Sequence, residues 1–364
     1  MGRTSRDADV VGIVARLREQ AAACEALGSP MYAELLERVA DDYVAGGPTA
    51  TVLAPWADAP GPDAIGLRLL GSVHRLVLER RAGALAAFYP SVGGRWEPHQ
   101  GSRAFLELLA ERPEAVSEMD RPPQTNEVGR AAALLGGLLT LPSEWRLPVR
   151  LRELGSSAGL LQLADLMGAQ AAGQRWGRAD SPVQLLEAFA GALPPAGWWP
   201  SFVDTLGCDP FPLDATTAAG RLALSAYCWP DQSARWERLR AAFDLARVRP
   251  PVVVRQDAGE FVESIDLADD ALTVVWHSVM WQYLPAAERD HVTGVLERLG
   301  DKATPRRRLL HLRLEPTRPA SGEVHRFLIS RRCWPGGEEE IIGESAPHGL
   351  PTRIFGTPEP QLSA

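Results

Sequence analysis

Cysteine is scarce in this 364-residue sequence. The four cysteines form no Cys-x-x-Cys pair, and none has zinc-ligand spacing with a histidine; they are Cys24, Cys208, Cys228 and Cys333. So few cysteines in a chain of this length exclude a disulfide framework. We therefore expect neither a disulfide-stabilised fold nor a metal site.

Long apolar runs and lysine are also missing. No run approaches the roughly 20 apolar residues that span a bilayer, and the N-terminal MGRTSRDADVV lacks the apolar segment of a signal peptide. These absences predict a cytoplasmic protein with no membrane partner. Lys302 is the only lysine, but arginine takes its place and the scarcity carries no functional meaning. The net charge of -8 is what argues against nucleic acid as a partner, because phosphate binding needs clustered basic residues.

The length suits two domains. Ile13, Val14 and Leu17 recur at helical spacing, and Ser29-Pro30 is a typical helix start, with Ser29 as the cap. The pattern predicts an all-helical N-terminal (cap) domain over residues 1–145.

From about Pro148 the pattern changes to apolar strands that alternate with helices. Continuous apolar strands separated by helices indicate a parallel sheet covered on both faces. We therefore predict an α/β domain over residues 146–364, with a Rossmann-like, doubly wound, mostly parallel sheet and an antiparallel hairpin around Trp334–Gly337 at one edge. The predicted strands are Val149–Leu154, Pro251–Arg255, Leu272–Trp276 and Leu309–Leu314.

The sharpest motif is Glu153-Leu154-Gly155-Ser156-Ser157-Ala158-Gly159. A strand ends there, a loop of small residues follows, and a helix is predicted to begin. Glycines let the backbone approach a ligand, and a helix start offers free N–H groups. The Gly-x-Gly-x-x-Gly pattern of dinucleotide sites is absent, which disfavours a nicotinamide dehydrogenase. We predict that Glu153, Gly155, Ser156 and Gly159 bind a cofactor; a purely structural tight turn is the alternative.

Acidic residues follow two later strands. Asp209, or Asp214 close behind it, is placed to hold ribose hydroxyls after an insertion over residues 168–200; an Asp-Pro turn is the alternative. Asp257-Ala258 follows the Pro251–Arg255 strand and is a second candidate cofactor contact. Its alternative is an Asp that caps the next helix.

His277 follows a buried strand, at the edge where ligands of α/β sheets bind. We predict that it lies near the reacting centre and the cofactor, although strand-end histidines are also often structural. Glu127 and Arg130 belong to a polar stretch before a predicted helix that Thr125 or Asn126 would cap, and we expect them to face a substrate. We predict that His277, Glu127, Arg130 and Tyr283 converge on one cavity, with His277 as first and Glu127 as second candidate base.

Together, Glu153–Gly159, Asp257-Ala258 and His277–Pro285 resemble class I S-adenosylmethionine-dependent methyltransferases. Nearly the whole chain is similar to an uncharacterised bacterial family, the domain-of-unknown-function family 2332. The stretches that carry this second resemblance are Gln124–Arg130, Glu153–Leu160, Trp229–Gln232 and His277–Pro285.

The resemblance implies a class I methyltransferase-like fold that binds S-adenosylmethionine, with Asp257 accepting from the adenine amino group. We expect methyl transfer to a small or medium-sized molecule, for example in specialised metabolism, because a pocket closed by a helical cap suits such an acceptor and the acidic charge agrees. The alternative is a Rossmann-like binding or scaffold protein without catalysis. Two features favour that alternative: Leu161, where the domain-of-unknown-function family 2332 tends to have Asn, and the insertion before Asp209. The acceptor and the oligomeric state stay open.

Overall fold

The computed structural model describes residues 2–56, 64–113, 119, 123–317 and 326–356, with side chains from residue 11 onward. Contacts divide the chain into two compact units. The first comprises residues 1–125 and 218–237, and the second residues 126–217 and 238–364. The sequence had suggested one boundary after residue 145. The contacts instead group residues 126–145 with the sheet, and they group residues 218–237 with the N-terminal helices.

Helices make up the described secondary structure of the first unit. Numbered along the whole chain, the α-helices of the described residues are α1 (Gly2–Ala26), α2 (Pro30–Val44), α3 (Pro48–Leu53), α4 (Ile65–Leu78), α5 (Pro98–Glu111), α6 (Ala131–Leu139), α7 (Ala218–Ala226), α8 (Ser233–Val248), α9 (Ala258–Glu263) and α10 (Ala286–Gly300). Short 3-10 helices lie at Ala54–Trp56, Gly83–Phe88, Pro90–Val92, Val128–Arg130, Ser143–Trp145, Leu160–Leu166 and Trp281–Tyr283.

The start of α2 shows how the first unit is held together. Pro30 occupies the first helical turn as expected, but Ser29 makes no side-chain cap hydrogen bond to the helix. Its hydroxyl instead donates to Asp231 at 2.7 Å, and the other carboxylate oxygen of Asp231 accepts from the Met31 N–H at 3.1 Å. A carboxylate can satisfy a helix start better than a hydroxyl because it also complements the positive end of the helix dipole. The predicted cap at Ser29 is therefore replaced by Asp231.

The second unit is built on a mixed α/β arrangement with a large, mostly parallel sheet. Its described strands are β1 (Val149–Leu154), β2 (Gly168–Ala171), β3 (Gln174–Gly177), β4 (Gln184–Leu185), β5 (Phe189–Gly191), β6 (Phe202–Asp209), β7 (Val253–Arg255), β8 (Ala271–Ser278), β9 (Arg307–Pro316), β10 (Phe327–Trp334), β11 (Glu339–Ser345) and β12 (Thr352–Ile354). Nine of them form one sheet in the order β5-β12-β11-β10-β9-β8-β1-β6-β7, and β3-β2-β4 form a small second sheet.

Helices cover both faces of the large sheet, as the continuous apolar strands predict. On one face, Val275 packs in a cluster with Phe261 of α9 and Leu296 of α10. On the other face, all nine residues of α6 are buried. A Cβ added at Gly137 of α6 would lie 2.6 Å from the Leu312 side chain, so this helix lies directly on the strand. β8 is buried along its length because neither of its faces meets solvent.

The insertion and the tail meet at one side of the sheet. The tail strands β10 and β11 form the expected antiparallel pair, but they do not finish the edge. β12 continues the sheet beyond β11, and β5, which comes from the insertion, pairs with β12 in parallel and is the outermost strand. The predicted edge hairpin is therefore an internal part of the sheet.

The strand order determines where a ligand site can lie. From β1 the chain passes outward to β6 and β7, and then returns to β8 and β9 on the other side of β1. All of these neighbours pair in parallel, so their carboxyl ends share one edge. The order reverses between β1 and β8, where ligands of open α/β sheets bind. In the described part of the chain, no helix is both long and apolar enough to span a bilayer.

Candidate functional site

The loop after β1 alternates left-handed and ordinary backbone. Gly155, Ser157 and Gly159 have φ of 64°, 54° and 71°. Gly155 is required for a second reason, because a Cβ there would lie 3.0 Å from the Cβ of Met280. The predicted glycine loop is present, and at this position it is in contact with the segment that follows β8. The helix after it is a seven-residue 3-10 helix, Leu160–Leu166.

Backbone N–H groups of this loop donate to protein acceptors. The Ser156 N–H donates to the Cys208 carbonyl at 2.9 Å, and the Gly159 N–H donates to the Ser156 carbonyl at 2.8 Å. Two side chains accept as well: the Asp209 carboxylate from the Ser157 N–H and the Asn126 side-chain oxygen from the Leu160 N–H, each at 2.8 Å. A dinucleotide site uses such amides to bind pyrophosphate. Their engagement within the protein argues against the nicotinamide alternative on grounds independent of the missing glycine.

Glu153 lies at the end of β1 and is almost fully buried, at 3 % exposure. Its pKa is raised to about 8, chiefly by burial and also by the negative charge of Asp209, while hydrogen bonding by Ser156 and Gln162 opposes the shift. Its Oε2 has no hydrogen-bond partner among the described residues. The indole N–H of Trp276, the residue in register on β8, likewise has none. The Glu153 oxygen and the Trp276 indole N–H, both buried and without partners among the described residues, therefore lie on β1 and β8, the adjacent strands between which the strand order reverses.

Asp209 and Asp214 occupy different settings. Asp209 is buried at the end of β6, and its two oxygens accept from the N–H groups of Ser157 and Phe211, each at 2.8 Å. Asp209 therefore links the loop after β1 and the loop after β6 by hydrogen bonds. Asp214 lies further along, where its carboxylate accepts from the Thr216 N–H and hydroxyl. Of the two candidates, Asp209 is the one at the sheet edge.

Asp257 follows β7 and is exposed. It occupies the N-cap position of α9 but makes no side-chain cap hydrogen bond. The Gly259 N–H of that helix instead donates to Glu288 at 3.3 Å. The capping hydrogen bond, which was the alternative explanation for Asp257, is therefore not formed, and its carboxylate has no hydrogen-bond or ion-pair partner among the described residues. Ala258 is buried beneath it.

His277 differs from its prediction. It is fully buried within β8, and both ring nitrogens have partners: Nδ1 lies 2.7 Å from Glu315 Oε1, and Nε2 lies 3.0 Å from Nε2 of His311. A carboxylate only accepts, so Nδ1 carries a proton. Burial, followed by the charge of His277, lowers the pKa of His311 well below its ordinary value, so His311 is neutral and the two Nε2 atoms share one hydrogen bond. Trp281 stacks on the ring, with centroids 4.9 Å apart.

Glu315, His311 and Met280 were not recognised from the sequence. Glu315 Oε1 also accepts from the Met280 N–H at 3.1 Å, whereas its Oε2 is buried without a partner among the described residues. Val279, which precedes Met280, has a φ of 53°, a rare backbone conformation for a β-branched residue. Glu315 stands one residue beyond the predicted apolar strand Leu309–Leu314, so apolar patterning could not indicate it. Among the described residues, no group of three metal-ligating side chains is placed to hold a metal ion.

Arg130 and Tyr283 approach the strand end that carries His277. Arg130 donates to the Ser278 carbonyl at 3.4 Å and to the Pro347 carbonyl at 3.1 Å. Tyr283 is 57 % exposed. Partial desolvation raises its pKa, the charge of Arg130 lowers it, and the charge of Glu315 raises it. Arg130, Tyr283 and Glu315 are therefore neighbours at this edge.

Glu127 caps a short helix. It is buried, its Oε1 accepts from the Gly129 N–H at 3.1 Å, and Arg238 lies 3.8 Å away as an ion-pair partner. Glu127, rather than Thr125 or Asn126, is thus the cap of the short helix that precedes α6. Asn126 caps the helix after the glycine loop instead. Glu127 and Arg130 both belong to the unit that contains the sheet, not to the helical domain in which we expected them.

Comparison with known proteins gives a family. No curated protein matches the chain. Residues 14–353 match the family described as an uncharacterized protein conserved in bacteria (DUF2332). Because this match covers nearly the entire chain, the protein belongs to the DUF2332 family.

Proposed function

We propose that this protein binds S-adenosylmethionine at the carboxyl ends of β1, β6 and β7 and transfers its methyl group to a small or medium-sized molecule. Five neighbouring strands of the sheet are parallel to one another and lie in the order β7-β6-β1-β8-β9. If these five are renumbered 1 to 5 along the chain, the order is 3-2-1-4-5, which is that of doubly wound nucleotide-binding sheets. A class I methyltransferase-like sheet has the same general character. The antiparallel β10 takes the next place.

The observation that carries the proposal is the free carboxylate of Asp257. It is exposed at the end of the third parallel strand and is not used to cap α9. A carboxylate accepts hydrogen bonds only, and the amino group of adenine is a donor. Asp257 is therefore suited to hold the adenine, with Gly155 and Ser156 of the loop on the side of β1.

Asp209 and Glu153 would complete the cofactor site. Each Asp209 oxygen accepts one backbone N–H, and a carboxylate oxygen has a further lone pair for a ribose hydroxyl. Burial and a pKa of about 8 keep Glu153 protonated at neutral pH, so it can act as a hydrogen-bond donor as well as an acceptor. Its unpartnered Oε2 is the kind of buried polar atom that a ligand or a water normally satisfies.

S-adenosylmethionine would supply an electrophilic methyl group, and the protein would align an acceptor with it. Alignment alone can supply much of the rate. Near the carboxyl end of β8, Arg130 and the exposed Tyr283 are the groups best placed to contact an acceptor. His277 has no exposed surface, so it would act through Glu315 by positioning it rather than as a base on the substrate.

A second function, binding without catalysis, is favoured by specific contacts. Met280 lies against Gly155, where a cofactor would approach the loop. Both His277 nitrogens are engaged, and Leu161 is buried in place of a polar residue. In this alternative the sheet keeps its nucleotide-binding shape as a binding or scaffold protein.

Isothermal calorimetry of the full chain with S-adenosylmethionine and with S-adenosylhomocysteine tests the proposal. Asp257→Ala should weaken binding by about 1–3 kcal/mol, or roughly 5- to 150-fold, since a charged hydrogen-bond partner is lost. Glu260→Ala, an exposed carboxylate three residues along on α9, is the matched control and should bind like the wild type. Gly155→Val is a poorer probe, because φ of 64° and the Met280 contact make it disrupt the loop itself.

Two outcomes separate the alternatives. Absence of binding at millimolar cofactor contradicts the proposed site altogether. Binding that depends on Asp257, but without transfer of an isotope-labelled methyl group to any component of a bacterial small-molecule extract, favours the non-catalytic function.

A further inference from the structure

The first unit contains a cleft of about 950 Å³, within the size range of small-molecule sites. Its apolar lining includes Val77 and Leu78 at the end of α4 and Val92 at the end of the 3-10 helix Pro90–Val92, and its charged lining consists of Arg80 and Arg95. Glycine backbone forms part of the wall. A cleft whose wall combines polar backbone, two cations and apolar side chains suits a ligand that has an anionic and an apolar part.

Arg80 has an unusual backbone conformation. The helix α4 ends in a Schellman motif, in which the Arg80 N–H donates to the Val77 carbonyl and the Arg81 N–H to the Leu76 carbonyl. The residue at the position of Arg80 in this motif is left-handed and is usually glycine, because other side chains are strained there. Arg80 has φ of 60°. An arginine thus stands where the local structure favours glycine.

No contact within the described part of the chain accounts for this choice. The side chains of Arg80 and Arg95 have no hydrogen-bond or ion-pair partner among the described residues, although the neighbouring Arg75 and Arg81 both pair with Glu79. Both free arginines are exposed. Residues that break a local rule without a compensating contact point to function rather than stability.

The cleft wall is anchored from the protein interior. Ser91, next to Val92, shares a hydrogen bond of 2.8 Å with the buried His74, whose other ring nitrogen contacts the Ala226 carbonyl at 3.1 Å. Arg112 donates to the Arg81 carbonyl at 2.8 Å, beside Arg80. The backbone around the two free arginines is therefore held in place before any ligand binds, which reduces the entropic cost of binding.

We propose that this cleft binds a small amphipathic anion, with a carboxylate or phosphate group between Arg80 and Arg95 and an apolar portion against Leu78 and Val92. Guanidinium groups bind both oxyanions through paired hydrogen bonds. A site of this positive charge in a chain of net charge -8 selects anions locally, since the rest of the surface repels them. This site is separate from the one proposed for the cofactor and does not depend on it.

Calorimetry of the full chain with hexyl phosphate, hexanoate and inorganic phosphate tests the proposal. Hexyl phosphate or hexanoate should bind, and whichever binds more tightly identifies the oxyanion class. Arg80→Gly and Arg95→Gln should each weaken that binding about tenfold or more, the loss expected for one charge-assisted contact. Arg103→Gln, on the exposed side of α5, is the control and should leave affinity unchanged.

Arg80→Gly provides a second readout that an ordinary loss of folding could not imitate. Because glycine relieves the left-handed strain, the variant should raise the unfolding temperature by a few degrees while it loses affinity. Wild-type affinity in Arg80→Gly, or no binding of either amphipathic probe at millimolar concentration, would overturn the proposal. Inorganic phosphate binding as tightly as hexyl phosphate would contradict the amphipathic assignment.

Discussion

Replacing Glu153 with glutamine should make the stability of the protein less dependent on pH between pH 6.5 and 8. The carboxyl group is buried at the end of β1, and its pKa is raised from 4.5 to about 8. In the unfolded chain the same group ionises near its ordinary pKa. Between the two values the folded state binds more protons than the unfolded state, so the free energy of unfolding falls as pH rises.

The expected size follows from the pKa shift. One pH unit within this range costs about 1.4 kcal/mol per proton. The free energy of unfolding of the wild type therefore falls by about 2 kcal/mol through Glu153 between pH 6.5 and 8. The comparison with Glu153→Gln isolates this carboxyl group, because the other shifted buried groups, such as His74, His311 and Cys208, titrate alike in both proteins.

The assay is urea unfolding of wild-type and Glu153→Gln protein at several pH values across this window, followed by fluorescence. The variant should lose little stability as pH rises, so that its advantage over the wild type grows with pH. Glu144→Gln, which changes an exposed carboxylate, should follow the wild type. If Glu153→Gln and the wild type lose stability in parallel, Glu153 is ionised in the folded state and the reasoning about its burial is wrong.

Two further predictions concern buried histidines. Burial lowers the pKa of His74 from 6.5 to about 4, so the stability it contributes is complete above pH 6.5 and is lost as pH falls toward 4, by up to about 3 kcal/mol. Urea unfolding of His74→Gln should lack most of this acid dependence, and an unchanged dependence would count against the assignment. Glu315→Gln should destabilise the protein by about 1–3 kcal/mol, because the charge-assisted bond to His277 is lost. It should also shift the His277 ring ¹⁵N resonances in NMR, and an unaltered ring spectrum with full stability would refute the Glu315–His277 pairing.

Much of the sheet could be predicted from local pattern. β1 coincides with its predicted range, and the strands around Val253, Val274 and Leu310 were each found with ends that differ by a few residues. This succeeds because a parallel strand covered on both faces must be apolar at consecutive positions. The hairpin of β10 and β11 was predicted for a similar reason, since Trp334–Gly337 is a turn sequence between two strand-like segments.

The site was predicted only in part. Gly155 and Gly159 carry their own signal, because left-handed backbone favours glycine. Asp257 was predicted as a cofactor contact from its place after a strand, and this stays a prediction; whether it capped α9 depended on side-chain geometry. His277 was correctly assigned to a strand end and wrongly expected outside the core. Its burial comes from Trp281, which stacks on the ring, and from His311, 34 residues along the chain.

The amino-acid sequence alone therefore determined four of the parallel strands, the hairpin turn and the glycine loop, because each depends on neighbours within a few residues, but it did not indicate the strands β2 to β5 of the insertion. The tertiary structure decided which side chains meet. Glu315 reaches His277 because β9 pairs with β8, and Asp231 reaches the start of α2 across 200 residues of chain. It also decided that Arg80, on a backbone that favours glycine, would line a cleft with Arg95. Such pairings depend on the order in which strands and helices pack, and no local pattern in the sequence encodes that order.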